Sequence, residues 1–543
     1  MIIKRDTLKR SYNPIILLGL LCILLIPAVW YSMSTPFALV DDYGMSCIPS
    51  LNLKTWLNDT FFGHPEGRYR PFFEIYQYAA WTALGANSAL HHAARWLLQI
   101  AGFYFAFRCL TLVMVARRTV VPASGFLLSL PILLFAYIFF LFPNQPAARL
   151  GPQEVNTVFF LLVLNYGVGK WLLLGNRAAS GSVRQTILLL YLSFIGLSLS
   201  KEVNVAVLAY VLLFFAVRFF RQPTARKQTF YLLPLLMIFL YTLQRVWVTA
   251  KSATYGTVPV SPEFIYNNIL WIGRELLQTQ TSLLISGTFI ALLAVGVINR
   301  IFQSNRNGDT FDTVYTTFLY GEFSVMYLMI CTSWYQALRY WYPLVPLMGL
   351  LLAANLDTLM TYAEKRDILS RSRGILLGLF LVFFALINYH NFLMQYATPH
   401  NARTIEDRML NRITERLRDG EQIVIRSLNT SESYVEQIAH SQLYFSQYLP
   451  RYFGIRLNIL TVAPRTSAMD VIYVSPPISR QSIEIVDLFI NEQSYWWLEK
   501  SKKVSAFFQG GRKPFVVTDA GAGSPRFDDY GWYLYKEKRE FAN

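Results

Sequence analysis

The sequence predicts an α-helical polytopic membrane protein of about eleven transmembrane helices, followed by an extracytoplasmic α/β domain. Three observations lead there. Of 543 residues, 54% are hydrophobic and only 15% charged, a balance that a soluble core of this size does not require. The apolar residues gather in blocks of about 20, the length that carries a helix across a bilayer, rather than in amphipathic stripes. Residues 395–543 then break the pattern, with more charge and no block of spanning length.

The first block, NPIILLGLLCILLIPAVWYSM, follows KRDTLKR. It is long for a signal peptide and no clear small-residue cleavage site follows, so it reads as a retained signal anchor over 14–34. Further spans fall near 88–114, 121–142, 154–174, 186–200, 203–220, 229–249, 281–299, 313–332, 341–358 and 374–394. The segment 186–200 is short and is expected to tilt or break around SLSKEVN. With the N-terminus cytoplasmic, the inner segments hold about twice as many basic residues as the outer loops before residue 395, in keeping with the positive-inside bias. The first loop, 35–87, then faces outward, and an odd number of spans puts 395–543 outside as well. The chain thus divides into a membrane domain, 1–394, and an outer domain, 395–543.

In the outer domain, short apolar stretches (QIVIRSL, LNILTV, DVIYVSP, KPFVVTD, GWYLYKE) read as strands and ARTIEDRMLNRITERLRDG as a helix. The domain carries no nucleophile motif and no phosphate-binding glycine loop; GAGSP is too short for one. The net charge of +16 lies almost entirely in the membrane half, where it sets topology and meets anionic headgroups, so no nucleic acid partner is implied. Cys22, Cys47, Cys109 and Cys331 have no metal-binding spacing. Cys47 and Cys331 are both read at outer helix ends, and sequence leaves a disulfide between them open.

Charge beside a bilayer is costly unless it is paired or functional. Asp41 and Asp42 stand directly after the first span, between the apolar PFALV and Tyr43, where partial desolvation and mutual repulsion raise the proton affinity of one carboxyl. The same loop carries His64, then Arg68 and Arg70 ahead of a Pro-started, aromatic-rich helix of about fifteen residues suited to the interface. Arg95, Arg108, Lys170, Arg218 and Arg245 fall within or close to spans, and most of them can snorkel to an end; His91 and His92 are read as structural.

A first span, an outer acidic pair, R-Y-R-P, an interfacial helix and GANSALHH entering the next span together resemble the GT-C superfamily of membrane glycosyltransferases. The nearest branch is that of the protein O-mannosyltransferases and the TPR-containing mannosyltransferases. Three further elements fit: LSLSKEVNVAVLAY, giving Lys201 and Glu202; GPQEVNTVFF, giving Glu154; and WYQALRYWYPLVPL, giving Arg339 and Tyr340. The likeness covers roughly residues 1–360. It departs in the second outer loop, PNQPAARLGPQE, which lacks the branch's His-Pro element, and in having no TPR array.

The resemblance implies inverting transfer of a sugar from a polyprenyl-phosphate donor to an acceptor hydroxyl at the outer face of the membrane, read as a bacterial inner (plasma) membrane; the departures from the branch favour a glycolipid or surface polysaccharide over a protein as acceptor. Asp41 or Asp42 would take the hydroxyl proton. Arg339, Lys201, Arg68 and Arg70 would meet the donor phosphate as it gains charge, with Glu154, Glu202, His64 and Tyr340 in support. No cofactor is required, and a divalent metal is not excluded. A transporter or flippase of lipid-linked sugars is the alternative, and a non-catalytic envelope scaffold is a third class.

Overall fold

The computed structural model describes residues 14–37, 42–46, 52–62, 69–117, 150, 153–174, 180–221, 230–252, 311–331, 342–351, 354–355, 422–426, 444–456, 458–462, 471–475, 483–490, 517–519 and 532–539, with a few single positions between 262 and 407. These are mostly helical. In chain order the helices are α1 (Pro14–Met33), α2 (Asp42–Met45), α3 (Leu53–Phe62), α4 (Pro71–Leu84), α5 (Ser88–Arg117), α6 (Glu154–Leu174), α7 (Ser180–Ser198), α8 (Asn204–Arg221), α9 (Leu233–Ser252) and α10 (Phe311–Cys331). A further helical run occupies 344–351.

Long runs of Leu, Val, Phe and Ala with few interior charges make the longer helices, and their burial differs according to place. Among the described residues, two helices are long and apolar enough to cross a membrane, Glu154–Leu173 and Asn204–Arg221. Protein covers 83% of the first and 28% of the second, so α6 is the axis of the bundle and α8 one of its outer staves. Around α6 pack α5, α7 and α10; α1 lies on α5, and α8 bridges α7, α9 and α10. The expected spans at 121–142 and 281–299 lie outside the described residues, as do all but residue 393 of that at 374–394, Cys47 and nearly all of the expected helix at 402–420.

Close helix approach depends on one small residue in α7. A β-carbon on Gly196 would fall on the ring of Phe160 in α6. Gly196→Ala is therefore expected to push α6 and α7 apart and to destabilise the bundle by about 1–3 kcal/mol, seen as a lowered midpoint in thermal unfolding of the detergent-solubilised chain.

The break anticipated at SLSKEVN is present: α7 ends at Ser198 and α8 begins at Asn204, with Lys201 and Glu202 on the turn between. Asn204 ties that turn together, its carboxamide donating to Leu197 O at 3.0 Å. The Pro-started helix is α4. Pro71 suits its first position because the missing N–H would have no intrahelical acceptor, and the next N–H, of Phe72, donates to Leu199 O at 2.8 Å. Gly85 closes α4 at φ +59°, where a side chain is strained.

Five of the short C-terminal stretches are strands, β1 (Gln422–Arg426), β2 (Asn458–Val462), β3 (Val471–Ser475), β5 (Val517–Asp519) and β6 (Trp532–Arg539), joined by β4 (Ile483–Ile490). They form one mixed sheet in the order β2-β1-β3-β4-β6-β5, with β1/β2 and β5/β6 parallel. Ahead of β2, a π-helical turn at Tyr444–Tyr448 and a short helix at Leu449–Phe453 set an aromatic cluster against the N-terminal half of the chain. Phe37 lies 6.3 Å from Tyr448 and 4.9 Å from Trp81, which in turn lies 4.5 Å from His91. At the end of α1, His400 Nδ1 comes within 3.4 Å of Ser34 Oγ and 3.3 Å of Thr35 Oγ1. Burial holds that imidazole below the ordinary histidine range, with Ser34 opposing the shift.

Candidate functional site

At the end of the bundle where α6 begins and α7 gives way to α8, buried charges from separate parts of the chain meet. Lys201, on the α7–α8 turn, donates from Nζ to Glu154 Oε1 at 2.5 Å, and both residues are buried. Glu154 is the first residue of α6, where a carboxylate is favoured by the helix dipole. Water is excluded from this pair, so its attraction is little screened.

The next residue on the turn works in the opposite direction. Glu202 accepts from Arg70 Nε at 2.9 Å and from the backbone N–H of Tyr69 at 3.1 Å. It thereby holds the entry to α4 against the end of α7, in concert with the Phe72–Leu199 bond. This second pair is partly exposed.

Asp42 is fully buried although it follows α1 almost directly. Its Oδ1 accepts from the backbone N–H of Leu150 at 3.2 Å. The carbonyl of the same residue accepts from Arg95 at 2.7 Å and from Gln77 Nε2 at 3.1 Å. One peptide segment just ahead of α6 thus joins the acidic loop, α4 and α5. Arg95 is 2% exposed, and the charges of Glu154 and Asp42 both act on its guanidinium. The result is a compact set of Asp42, Arg95, Glu154 and Lys201, with Arg70 and Glu202 one residue further along the turn.

Of the residues singled out from the sequence, Asp42, Arg70, Glu154, Lys201 and Glu202 therefore come together. Asp41, His64, Arg68, Arg339 and Tyr340 lie outside the described residues. Lys201 and Arg70, expected to face a phosphate, each hold a carboxylate here. His91 is structural in its contacts: Nε2–H donates to Gly85 O at 2.9 Å and the ring packs on Trp81.

Arg95 is a span cation that does not snorkel. It turns inward to the Leu150 carbonyl because a guanidinium in an apolar bundle gains most from a carbonyl and two nearby carboxylates. Its signal in the sequence is a cation two turns into an apolar run, and the partner is hidden because it is a backbone group. Arg108, Lys170, Arg218 and Arg245 meet aromatic faces instead: Arg108 lies 5.3 Å and Lys170 5.6 Å from the Tyr166 ring, Arg218 5.4 Å from Trp171, and Arg245 5.0 Å from Phe62.

Chemically, the cluster offers a carboxylate positioned by a peptide N–H and two cations in a site shielded from water. That combination can accept a proton and stabilise an anion. No group of three or more His, Cys, Asp or Glu among the described residues is placed to hold a metal ion. No protein-family model matches the chain, and no curated protein matches it in sequence.

Proposed function

We propose that the chain is a polytopic membrane glycosyltransferase of the GT-C type that moves a sugar from a polyprenyl-phosphate donor to an acceptor hydroxyl at the extracytoplasmic face. The observation that carries this reading is the buried set of Asp42, Arg95, Glu154 and Lys201, built where the outer ends of α5, α6, α7 and α8 would stand. Buried ionisable groups so placed are costly and suit a site for charge transfer.

In this mechanism the acceptor oxygen attacks the anomeric carbon from the face opposite the phosphate. As that bond forms, the hydroxyl proton passes to the carboxylate of Asp42 or Asp41, and the bond from carbon to phosphate oxygen breaks with its electron pair. Cations stabilise the polyprenyl phosphate that leaves, with Arg339 and Arg68 assigned to it directly. Arg95 and Lys201 shape the field around it, since each also balances a carboxylate. Residues 395–543 act as an acceptor-binding or lid domain of α/β type; deleting them impairs acceptor use before donor binding.

The test is transfer in vitro from a panel of labelled polyprenyl-phosphate sugars to glycolipid and polysaccharide acceptors, with topology reporters fused within 35–87 and after residue 543. Sugar transfer that depends on Asp41 or Asp42, with both reporters outside, is the expected result. Movement of the lipid-linked sugar between leaflets without transfer would indicate the flippase instead. A cytoplasmic first loop would overturn both.

A further inference from the structure

The bundle holds a second buried polar group, well away from the charged turn. Glu322, midway along α10, is fully buried, and neither of its carboxyl oxygens has a hydrogen-bond partner among the described residues. Facing it from α6 is Asn165, also fully buried, whose carboxamide nitrogen and oxygen are likewise without partners there. Asn165 lies eleven residues beyond Glu154, about 16 Å along α6 at 1.5 Å per residue. The two clusters are therefore separate.

The described groups around Glu322 supply no positive charge. Cys109 faces it from α5, Tyr210 from α8 and Tyr315 from its own helix. Their donors are directed elsewhere: Tyr315 to Asn165 O at 3.0 Å, Tyr210 to Phe318 O at 3.0 Å and Cys109 to Leu162 O at 3.6 Å. Arg108, next to Cys109, donates to the Tyr166 hydroxyl at 2.7 Å. The neighbouring Gly321 leaves room for Tyr210, against whose hydroxyl a β-carbon would collide, so α8 seals the cluster on that side.

A bare carboxylate in such a place has no counter-ion among the described residues and only the Asn165 carboxamide as a donor, a costly way to bury the group. One proton removes the charge and creates the donor that the Asn165 carboxamide oxygen lacks. The remaining carboxyl oxygen then accepts from the carboxamide N–H, and the acid and the amide complete each other. We propose that Glu322 and Asn165 form a proton-binding site at the centre of the helical bundle, whose ligand exchanges only when α10 parts from α6. The sugar transfer proposed above makes no use of it, so the two readings stand or fall separately.

Dicyclohexylcarbodiimide tests it. This apolar reagent adds to protonated carboxyl groups and leaves a stable N-acylurea, which peptide mass spectrometry locates in the full chain, kept in membranes or purified in detergent. An adduct on Glu322 is expected, absent in Glu322→Gln, with a yield that falls about tenfold per pH unit once the proton begins to leave. Asn165→Leu is expected to move that profile along the pH axis. Three results overturn the proposal: no adduct at any pH in the folded chain while the acid-denatured chain reacts, labelling that ignores pH, or a profile unmoved by Asn165→Leu.

Discussion

Asp42→Asn is expected to leave the chain folded and to lower the proposed sugar transfer by about 10²–10⁴-fold in kcat, the range assigned to a positioned general base. The substitution separates the structural acceptor role of Asp42 from its proposed role as base, and it also takes away one of the two carboxylate charges acting on the buried Arg95 guanidinium. As a structural acceptor, it receives the Leu150 N–H at 3.2 Å, and the asparagine carbonyl oxygen can receive the same bond in the same place. As a base, it must take a proton from an alcohol that is barely acidic, and a carboxamide cannot do so. Stability and activity should therefore part company in Asp42→Asn and fall together in Asp42→Ala, which also orphans the buried N–H. Asp41→Asn is the companion measurement, because the sequence assigns the pair jointly. Full turnover in both asparagine variants would remove the carboxylates from the mechanism.

Much of the helical framework could be read from composition, because hydrophobic block length is a one-dimensional signal. The expectation of 154–174 coincides with α6, and that of 14–34 differs from α1 by one residue. The Pro-started helix after R-Y-R-P and the break at SLSKEVN were equally legible, since proline at a first helical turn and a charged pair between two apolar runs act locally. Five strands were marked by short apolar alternation, whereas β4 was not singled out. The short helix α3, amid a polar loop, left no comparable trace.

Partnership was harder to read than placement. Lys201 and Glu202 are adjacent in sequence, yet successive residues on a turn point apart, and each finds a partner many residues away: Glu154 for one, Arg70 for the other. Leu150 could not be found at all, because what matters is its peptide group, and any residue type offers that. Glu322 escaped notice for a different reason. A single acid does not interrupt a block as apolar as 313–332, and its isolation becomes visible only when the helices around it are in place.

The buried pair of Glu154 and Lys201 gives the second large effect, and it distinguishes two roles for the lysine. Replacing Lys201 by Met leaves the Glu154 carboxylate buried without its ammonium partner, an arrangement that costs about 3–5 kcal/mol. Thermal unfolding of the solubilised chain should show that loss, and high salt should alter it little, because the pair is shielded from water. Glu154→Gln, which strands the ammonium, should cost a similar amount. The double variant should regain most of the stability, since the charges then disappear together, and the gap between the double variant and the summed singles measures the coupling. Arg70→Ala should cost less, because water reaches that pair and screens it. If Lys201 serves chiefly to meet the donor phosphate, Lys201→Met would instead leave the unfolding midpoint in place, weaken donor use, and show no coupling with Glu154→Gln. The geometry favours the first outcome: Nζ lies 2.5 Å from Glu154 Oε1 at a buried turn, so the lysine's first task is to keep the start of α6 joined to the end of α7.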